Sequence, residues 1–260
     1  MTNLLVMPVV AIVLAAVAAG IAGTLAVTHR MVSLGGGLAH SAYGGVGLAF
    51  LMGWAPLPVT LAFTLAVALL IAYLSEHSPE RADTLIGVIW ALGMAFGILC
   101  VDLSKSNAGD LMSILFGSLL AIPRSDLYAL GALDAVLALL AWRFRRELLA
   151  LAVDPEFAEV AGFPARAFRV GLLSVLSLTV VLLMRVTGLV LLVAFLSIPG
   201  ALAVRWTRSM GQAMWTAIGL VLVFGLAGLA LSWTFNLSTG ACVIAVAGTT
   251  YLATSLRSKA

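Results

Sequence analysis

The chain has 260 residues, of which 63% are apolar and only 10% are charged, with a net charge of +3. Soluble domains carry about a quarter charged residues, and a mean hydropathy of +1.16 leaves too little polar surface to cover a core in water. A soluble enzyme, a nucleic-acid-binding domain and a disordered tail are excluded, and an all-α polytopic membrane protein is left.

Nine apolar runs of spanning length follow one another, at about 4–28, 34–53, 56–75, 84–102, 126–143, 168–185, 188–205, 213–233 and 238–256. The first has no basic region before it and no clear cleavage site, so it is expected to be a span rather than a removed signal. A tenth segment, Asp110 to Ile122, is apolar but short. It is expected to lie at the membrane surface or to re-enter it, and a count of eight to ten spans brackets the alternatives. With the N-terminus outside and the C-terminus inside, only Lys105, Arg124 and Arg185 of the 14 basic residues fall outside. The reverse orientation inverts that ratio against the positive-inside rule. The basic excess therefore marks cytoplasmic loops, not a nucleic-acid partner. Cys100 and Cys242 both lie in apolar stretches and are expected to be free thiols.

The longest polar break runs from Arg143 to Arg169, and the cytoplasmic loop is set at about 144–167. Within it, Asp154 suits an N-cap and Pro155 the first helical position. Glu156 falls in the first turn, where the helix dipole favours an anion. Gly162 and Pro164 end the element. A two-turn helix is expected, with Phe157, Val160 and Ala161 on one face at i, i+3, i+4 spacing. One reading makes it a solvated connector, and the other a docking helix for a cytoplasmic partner.

The chain carries no phosphate-binding loop of the G-x-x-x-x-G-K-[ST] type, no His-Glu-x-x-His and no Gly-x-Ser-x-Gly. It is not expected to be an enzyme, and any energy source lies in another subunit. Asp134 sits mid-span, where an acid costs about 2.5–3.5 kcal/mol. It must find a partner or water, and a hydrogen bond to a neighbouring helix is favoured over a pathway role. Gly35, Gly36, Gly37, Gly44, Gly45 and Gly47 either let helices pack closely or leave a lumen and a flexible helix start. Trp90, Met94, Met184 and Trp233 read as packing residues or interface anchors rather than soft-metal ligands.

The stretch from His29 to Ala42 (H-R-M-V-S-L-G-G-G-L-A-H-S-A) resembles the start of the second span in the zinc/manganese permeases of ABC importers, commonly R-R-M-S-x-x-G-D-A-x-x-H-A. The segment from Arg81 to Gly87 resembles the opening of that family's fourth span. Asp110 to Leu120 resembles its D-L-x-x-x-L-F-G-x-L-L, and Asp154 to Gly162 its D-P-E-F-A-x-x-x-G coupling helix. Leu196 to Ala201 resembles its L-I-I-P-A-A. The order is kept along essentially the whole chain.

The resemblance implies a single permease domain over 1–260, folded as a type II ABC importer bundle in a bacterial cytoplasmic membrane. It implies a homodimer with the pathway on its two-fold axis, two cytoplasmic ATP-binding subunits, and an extracytoplasmic metal-binding protein. No tightly bound cofactor is expected. The cargo is a divalent metal, zinc ahead of manganese or iron, and the alternative is a stand-alone secondary transporter or channel. Asp154, Pro155, Glu156, Phe157, Ala158 and Gly162 would couple to the ATPase. Gly36, Gly37, His40, Ser41 and Pro199 would line the pathway or gate, with His40 the metal ligand. The other reading of His40 is a satisfied histidine bonded to a neighbouring backbone. The family's acid, four residues before the histidine, falls on Gly36 here. Residues i and i+4 share a helix face, so this chain keeps the nitrogen ligand and lacks the oxygen one. That weakens the case for manganese, which prefers oxygen.

Overall fold

A computed structural model describes residues 2–77, 82–104, 122–160 and 162–257 of the chain. Among them are eleven helices and no strand: α1 (Thr2–Thr28), α2 (Val32–Met52), α3 (Pro56–His77), α4 (Ala82–Leu103), α5 (Arg124–Arg143), α6 (Arg145–Val153), α7 (Pro155–Val160), α8 (Ala165–Thr187), α9 (Leu189–Trp206), α10 (Met210–Phe235) and α11 (Thr239–Arg257). Each of the nine expected spans falls on one of these helices, with ends displaced by three residues at most. Eight are long and apolar enough to cross a membrane. The ninth, α2, has the length, 21 residues, but six of them are glycine and one is His40. The expected surface segment at 110–122 lies outside the described residues, except for Ile122.

The helices form two compact units, each discontinuous in sequence. The first holds α1, most of α5, the end of α8, and α9 to α11. Its centre is α1, which packs along α9 and α10. Ala11, Ala15, Ala18, Ala19 and Ala22 are buried on α1 at spacings of three and four, the stripe a helix needs to present a small face. Lipid tails are as apolar as leucine, so helices in a membrane gain by close van der Waals contact rather than by burial from water. Missing side chains supply that contact. A Cβ at Gly23 of α1 would stand 2.6 Å from the Leu196 carbonyl oxygen of α9. One at Gly225 of α10 would stand 2.7 Å from Ile12 of α1. Gly228 of α10 lies equally tight against Val243 of α11.

The first unit also holds an ion pair. Arg185 Nε, in the last turn of α8, donates to Asp126 Oδ2 at 2.9 Å. Asp126 is buried in the first turn of α5, where the helix dipole also favours a negative charge. Losing Arg185 would leave the Asp126 carboxylate buried without its partner, which is destabilising, whereas the arginine is itself partly exposed.

The second unit holds α2, α3, α4, α6, α7 and most of α8. Here α2 is central, packed along α4 on one side and α3 on the other. A Cβ at Gly45 would meet Thr60 Cα at 2.8 Å, and one at Gly44 would meet the Phe63 ring and the Gly93 carbonyl. Gly47 lies against the backbone of Gly97, and Gly93 against Ser41 Cα. The G-x-x-x-G spacing of Gly93 and Gly97 is the small-residue pattern of close helix pairs. At its end α2 turns through Gly53, at φ 66, with Trp54 N–H donating to the Ala49 carbonyl at 3.0 Å. A side chain is strained in that left-handed conformation, so glycine is the residue that closes the helix there.

Helix α6 was not expected from the sequence. Arg145, Arg146 and Glu147 open it and mask a short apolar pattern in which Leu148 and Leu151 are buried. The expected two-turn helix is present as α7. It ends as expected at Gly162, at φ 86, with Gly162 N–H donating to Glu159 O at 3.0 Å and Phe163 N–H to Ala158 O at 2.9 Å. These two bonds form the paired C-terminal cap known as a Schellman motif.

The tight α2–α4 contact makes a paired prediction. Gly47→Ala forces a methyl against the Gly97 backbone and should destabilise the chain by about 1–3 kcal/mol. Gly36→Ala meets open space and should stabilise it by about 0.5–1 kcal/mol through lower unfolded-state entropy. Unfolding in detergent, monitored by circular dichroism, measures both. Equal effects would refute glycine-limited packing at Gly47.

Candidate functional site

The half-buried strip of α2 carries Gly36 and His40, one helical turn apart. The buried flank carries Gly37 and Ser41. A Cβ at Gly37 would stand 2.8 Å from Ile86 Cγ2 of α4, so Gly37 belongs to packing. Ser41 is fully buried, and its hydroxyl donates to Gly37 O at 2.8 Å, with Ile89 O of α4 at 3.3 Å. Both residues fix α2 onto α4. Gly44, Gly45 and Gly47 do the same toward α3 and α4. Gly36 differs from Gly37, Gly44, Gly45 and Gly47: among the described residues nothing lies within 4 Å of where its side chain would be.

His40 stacks on Trp90 of α4, with ring centroids 4.3 Å apart and planes inclined by 25°. Its Nδ1 is buried and has no hydrogen-bond partner among the described residues. That nitrogen is not satisfied by a neighbouring backbone among the described residues. The indole face restricts the imidazole to one plane and leaves a nitrogen lone pair or N–H uncommitted. Such a group can bind a borderline cation with nitrogen affinity. Trp90, read from the sequence as a packing residue or anchor, is the platform that sets the ring. It lies 50 positions away on another helix, and no spacing rule connects the two.

No group of three or more His, Cys, Asp or Glu among the described residues is placed to hold a metal ion. Cys100 and Cys242 are free and buried. Pro199 and Asp134 belong to the first unit. Pro199 is buried inside α9, and its missing N–H releases the carbonyl four residues earlier, that of Phe195. Asp134 is 7% exposed, and both its carboxylate oxygens are buried with no partner among the described residues. The hydrogen bond expected from it to a neighbouring helix is not formed there.

The second unit also carries the polar loop at about 144–167. Ala158 of α7 is fully buried, while Glu159 and Val160 face outward, Val160 with 88% exposure. The side chains of Pro155, Glu156 and Phe157 lie outside the described set. At the loop's base Phe144 meets Phe168 edge-on, with centroids 5.4 Å apart and planes at 82°, and the Arg143 guanidinium lies 5.2 Å over the Phe144 ring. Asp154, in extended conformation at φ -148 and ψ 95, separates α6 from α7 and is hydrogen-bonded to both. Asp154 N–H donates to Ala150 O, and Ala158 N–H donates to Asp154 O, both at 3.0 Å.

The sequence pattern of the ABC 3 transport family matches residues 1–258. An uncharacterized membrane protein of Synechocystis sp., slr2045, is 42% identical over 94% of this chain and 87% of its own length. The manganese transport system membrane protein MntC of Halalkalibacterium halodurans is 29% identical over 93% of this chain and 82% of its own. Among solved structures, PsaBC from Streptococcus pneumoniae in complex with Fab superposes with a TM-score of 0.84 at 27% identity. That superposition covers 95% of this chain and 88% of the other.

The stacked geometry can be checked directly. In Trp90→Leu, the ring protons of His40 lose the shielding of the indole face, and their NMR signals should move downfield in histidine-labelled protein. Signals of the other histidines should stay in place. A stationary His40 signal would refute the stack.

Proposed function

This chain belongs to the ABC 3 transport family, as a multi-pass membrane permease for metal, and we propose that it carries a divalent cation, zinc ahead of manganese or iron, into the cytoplasm. Two copies form the pathway, two ATP-binding subunits drive it, and an extracytoplasmic protein delivers the ion. The observation that carries the reading is His40, an uncommitted imidazole on the half-buried strip of α2, at the position of the family's histidine. The family match sets aside a stand-alone transporter.

Three relatives are named for manganese and one for iron. The preference for zinc here follows from ligand chemistry. A divalent cation leaving water needs ligands that replace its lost hydration, and carboxylates do this best because they carry charge. With Gly36 in place of the family's acid, each protomer offers one neutral nitrogen, which suits zinc better than manganese. Dwell in the pathway is then short, and selectivity rests mainly with the external binding protein. The N-out, C-in orientation, supported by the distribution of basic residues, puts α6 and α7 on the cytoplasmic side. There α7, with the exposed Val160 and a terminus fixed at Gly162, docks into a groove of the ATP-binding subunit.

Two experiments test this. In the reconstituted importer, His40→Ala should slow zinc uptake with assembly and basal ATP hydrolysis kept. Gly36→Asp, which has open space to occupy, should bind manganese at least about tenfold more tightly in detergent without the binding protein, since it adds two carboxylates per dimer. Native binding as tight as that of the variant would move the site elsewhere, to Asp134 or the carbonyls before Pro199. For docking, Phe157→Asp should uncouple ATP hydrolysis from transport. Normal transport by that variant, still copurifying with the ATPase, would refute the docking role.

A further inference from the structure

We propose that His29 is a positioning residue, a staple that ties the ATPase-docking loop to the start of the pathway helix α2. The inference rests on the docking reading above. His29 follows the last residue of α1 and stands three residues before α2 begins. It is half-buried, and its Nε2 lies 3.1 Å from the carbonyl oxygen of Leu148 on α6. A carbonyl can only accept, so Nε2 carries the proton and donates. A helical carbonyl has a second lone pair, so this bond adds to the helix's own hydrogen bonding. The two residues are 119 positions apart in the chain, and both belong to the second unit.

On either side of this bond the chain is stiff. Toward α2, Arg30 holds a left-handed turn at φ 57, a conformation that non-glycine residues adopt only when their surroundings impose it. Met31 is buried, and its carbonyl accepts from Gly35 N–H at 3.0 Å. Gly36 and His40 follow within the next turn and a half. Toward the loop, Leu148 and Leu151 are buried, and Asp154 links the two helices, its N–H donating to Ala150 O and its carbonyl accepting from Ala158 N–H. The Phe144–Phe168 contact closes the base. A displacement of α7 is therefore passed through α6 to His29, and from there to the helix turn that presents Gly36 and His40. An arginine is also a donor that can reach a carbonyl, so the tie should survive His29→Arg, while an aliphatic residue breaks it.

The test compares His29→Ala with His29→Gln and His29→Arg in the complete importer, reconstituted in liposomes with zinc as cargo. Zinc uptake and ATP hydrolysis are measured in parallel. His29→Ala should keep the ATP-binding subunits and hydrolyse ATP within about twofold of the native rate. The zinc moved per ATP should fall about fivefold, the scale of one lost hydrogen bond, and the two donor variants should restore it. Hydrogen exchange on the detergent-solubilised permease reads the tie itself. Amides of Arg145–Val153 should exchange faster in His29→Ala and stay protected in His29→Gln. Should the alanine variant not assemble, His29→Asn, a donor too short to reach, makes the same comparison. Unchanged protection overturns the staple. Lost protection with an unchanged zinc-to-ATP ratio overturns its part in coupling. A native complex that hydrolyses ATP and moves no zinc overturns the cargo reading instead, and leaves the exchange result standing.

Discussion

Helices in lipid are held by how closely their backbones approach, because no apolar surface is removed from water when they meet. In the second unit this constraint centres on α2. Gly37, Gly93 and Gly97 bring it against α4, Gly45 brings it against α3, and Gly44 lies close to both. With both flanks committed, one strip of α2 is left half-open, and it carries Gly36 and His40. The packing demand thereby selects where a polar group can stand. A histidine on either committed flank would sit where the neighbouring backbone already is.

The polar side chains divide along the same line. Most serines and threonines in the spans bond back to a carbonyl one turn earlier. Thr24 with Gly20, Thr179 with Val175, Thr187 with Leu183 and Ser197 with Val193 are examples. This costs little and leaves no donor facing lipid. The groups outside that economy are few among the described residues: His40 Nδ1, the hydroxyls of Thr60 and Thr64, and both oxygens of Asp134. Asp134 and Asp126 share one buried face of α5, eight residues apart. Asp126 is matched by Arg185 and by the helix dipole, so its charge has a structural reason. Asp134 has neither at its position, and burying an unpaired polar group costs about 2–7 kcal/mol.

Much of this was legible in the sequence. Hydropathy alone located the eight helices long and apolar enough to cross a membrane, and α2 beside them, because a run long enough to cross the apolar core has few alternatives. The end of α7 was legible in Gly162, whose left-handed conformation only glycine adopts without strain. Helix α6 was not, because three charged residues at its start hide a pattern that needs only Leu148 and Leu151 to be apolar. The glycines on α2 were legible as either packing or gate, since a missing side chain looks the same in both roles. Space decides between them. Gly37 and Gly47 have a neighbour where the Cβ would go, and Gly36 has none. Trp90 and the bond from His29 to Leu148 were invisible, because each joins residues that are distant in the chain through the plane of one ring.

The half-open strip and the polar loop at about 144–167 belong to the same compact unit. Packed cores switch between discrete arrangements rather than deforming smoothly, since close-packed side chains resist compression. If α7 docks on the ATP-binding subunit and His40 meets the ion, as proposed, one unit holds both and needs no signal carried across a deformable core. On that proposal, movement of α7 would displace the first turns of α2 through α6 and the bond from His29 to Leu148. An open position at Gly36 suits such a device. A carboxylate there would hold the ion through electrostatic attraction at every stage of the cycle, so each release would work against that attraction. If His40 is the ligand, as proposed, a neutral imidazole fixed by the Trp90 face would let a small shift of α2 decide whether the ion is held.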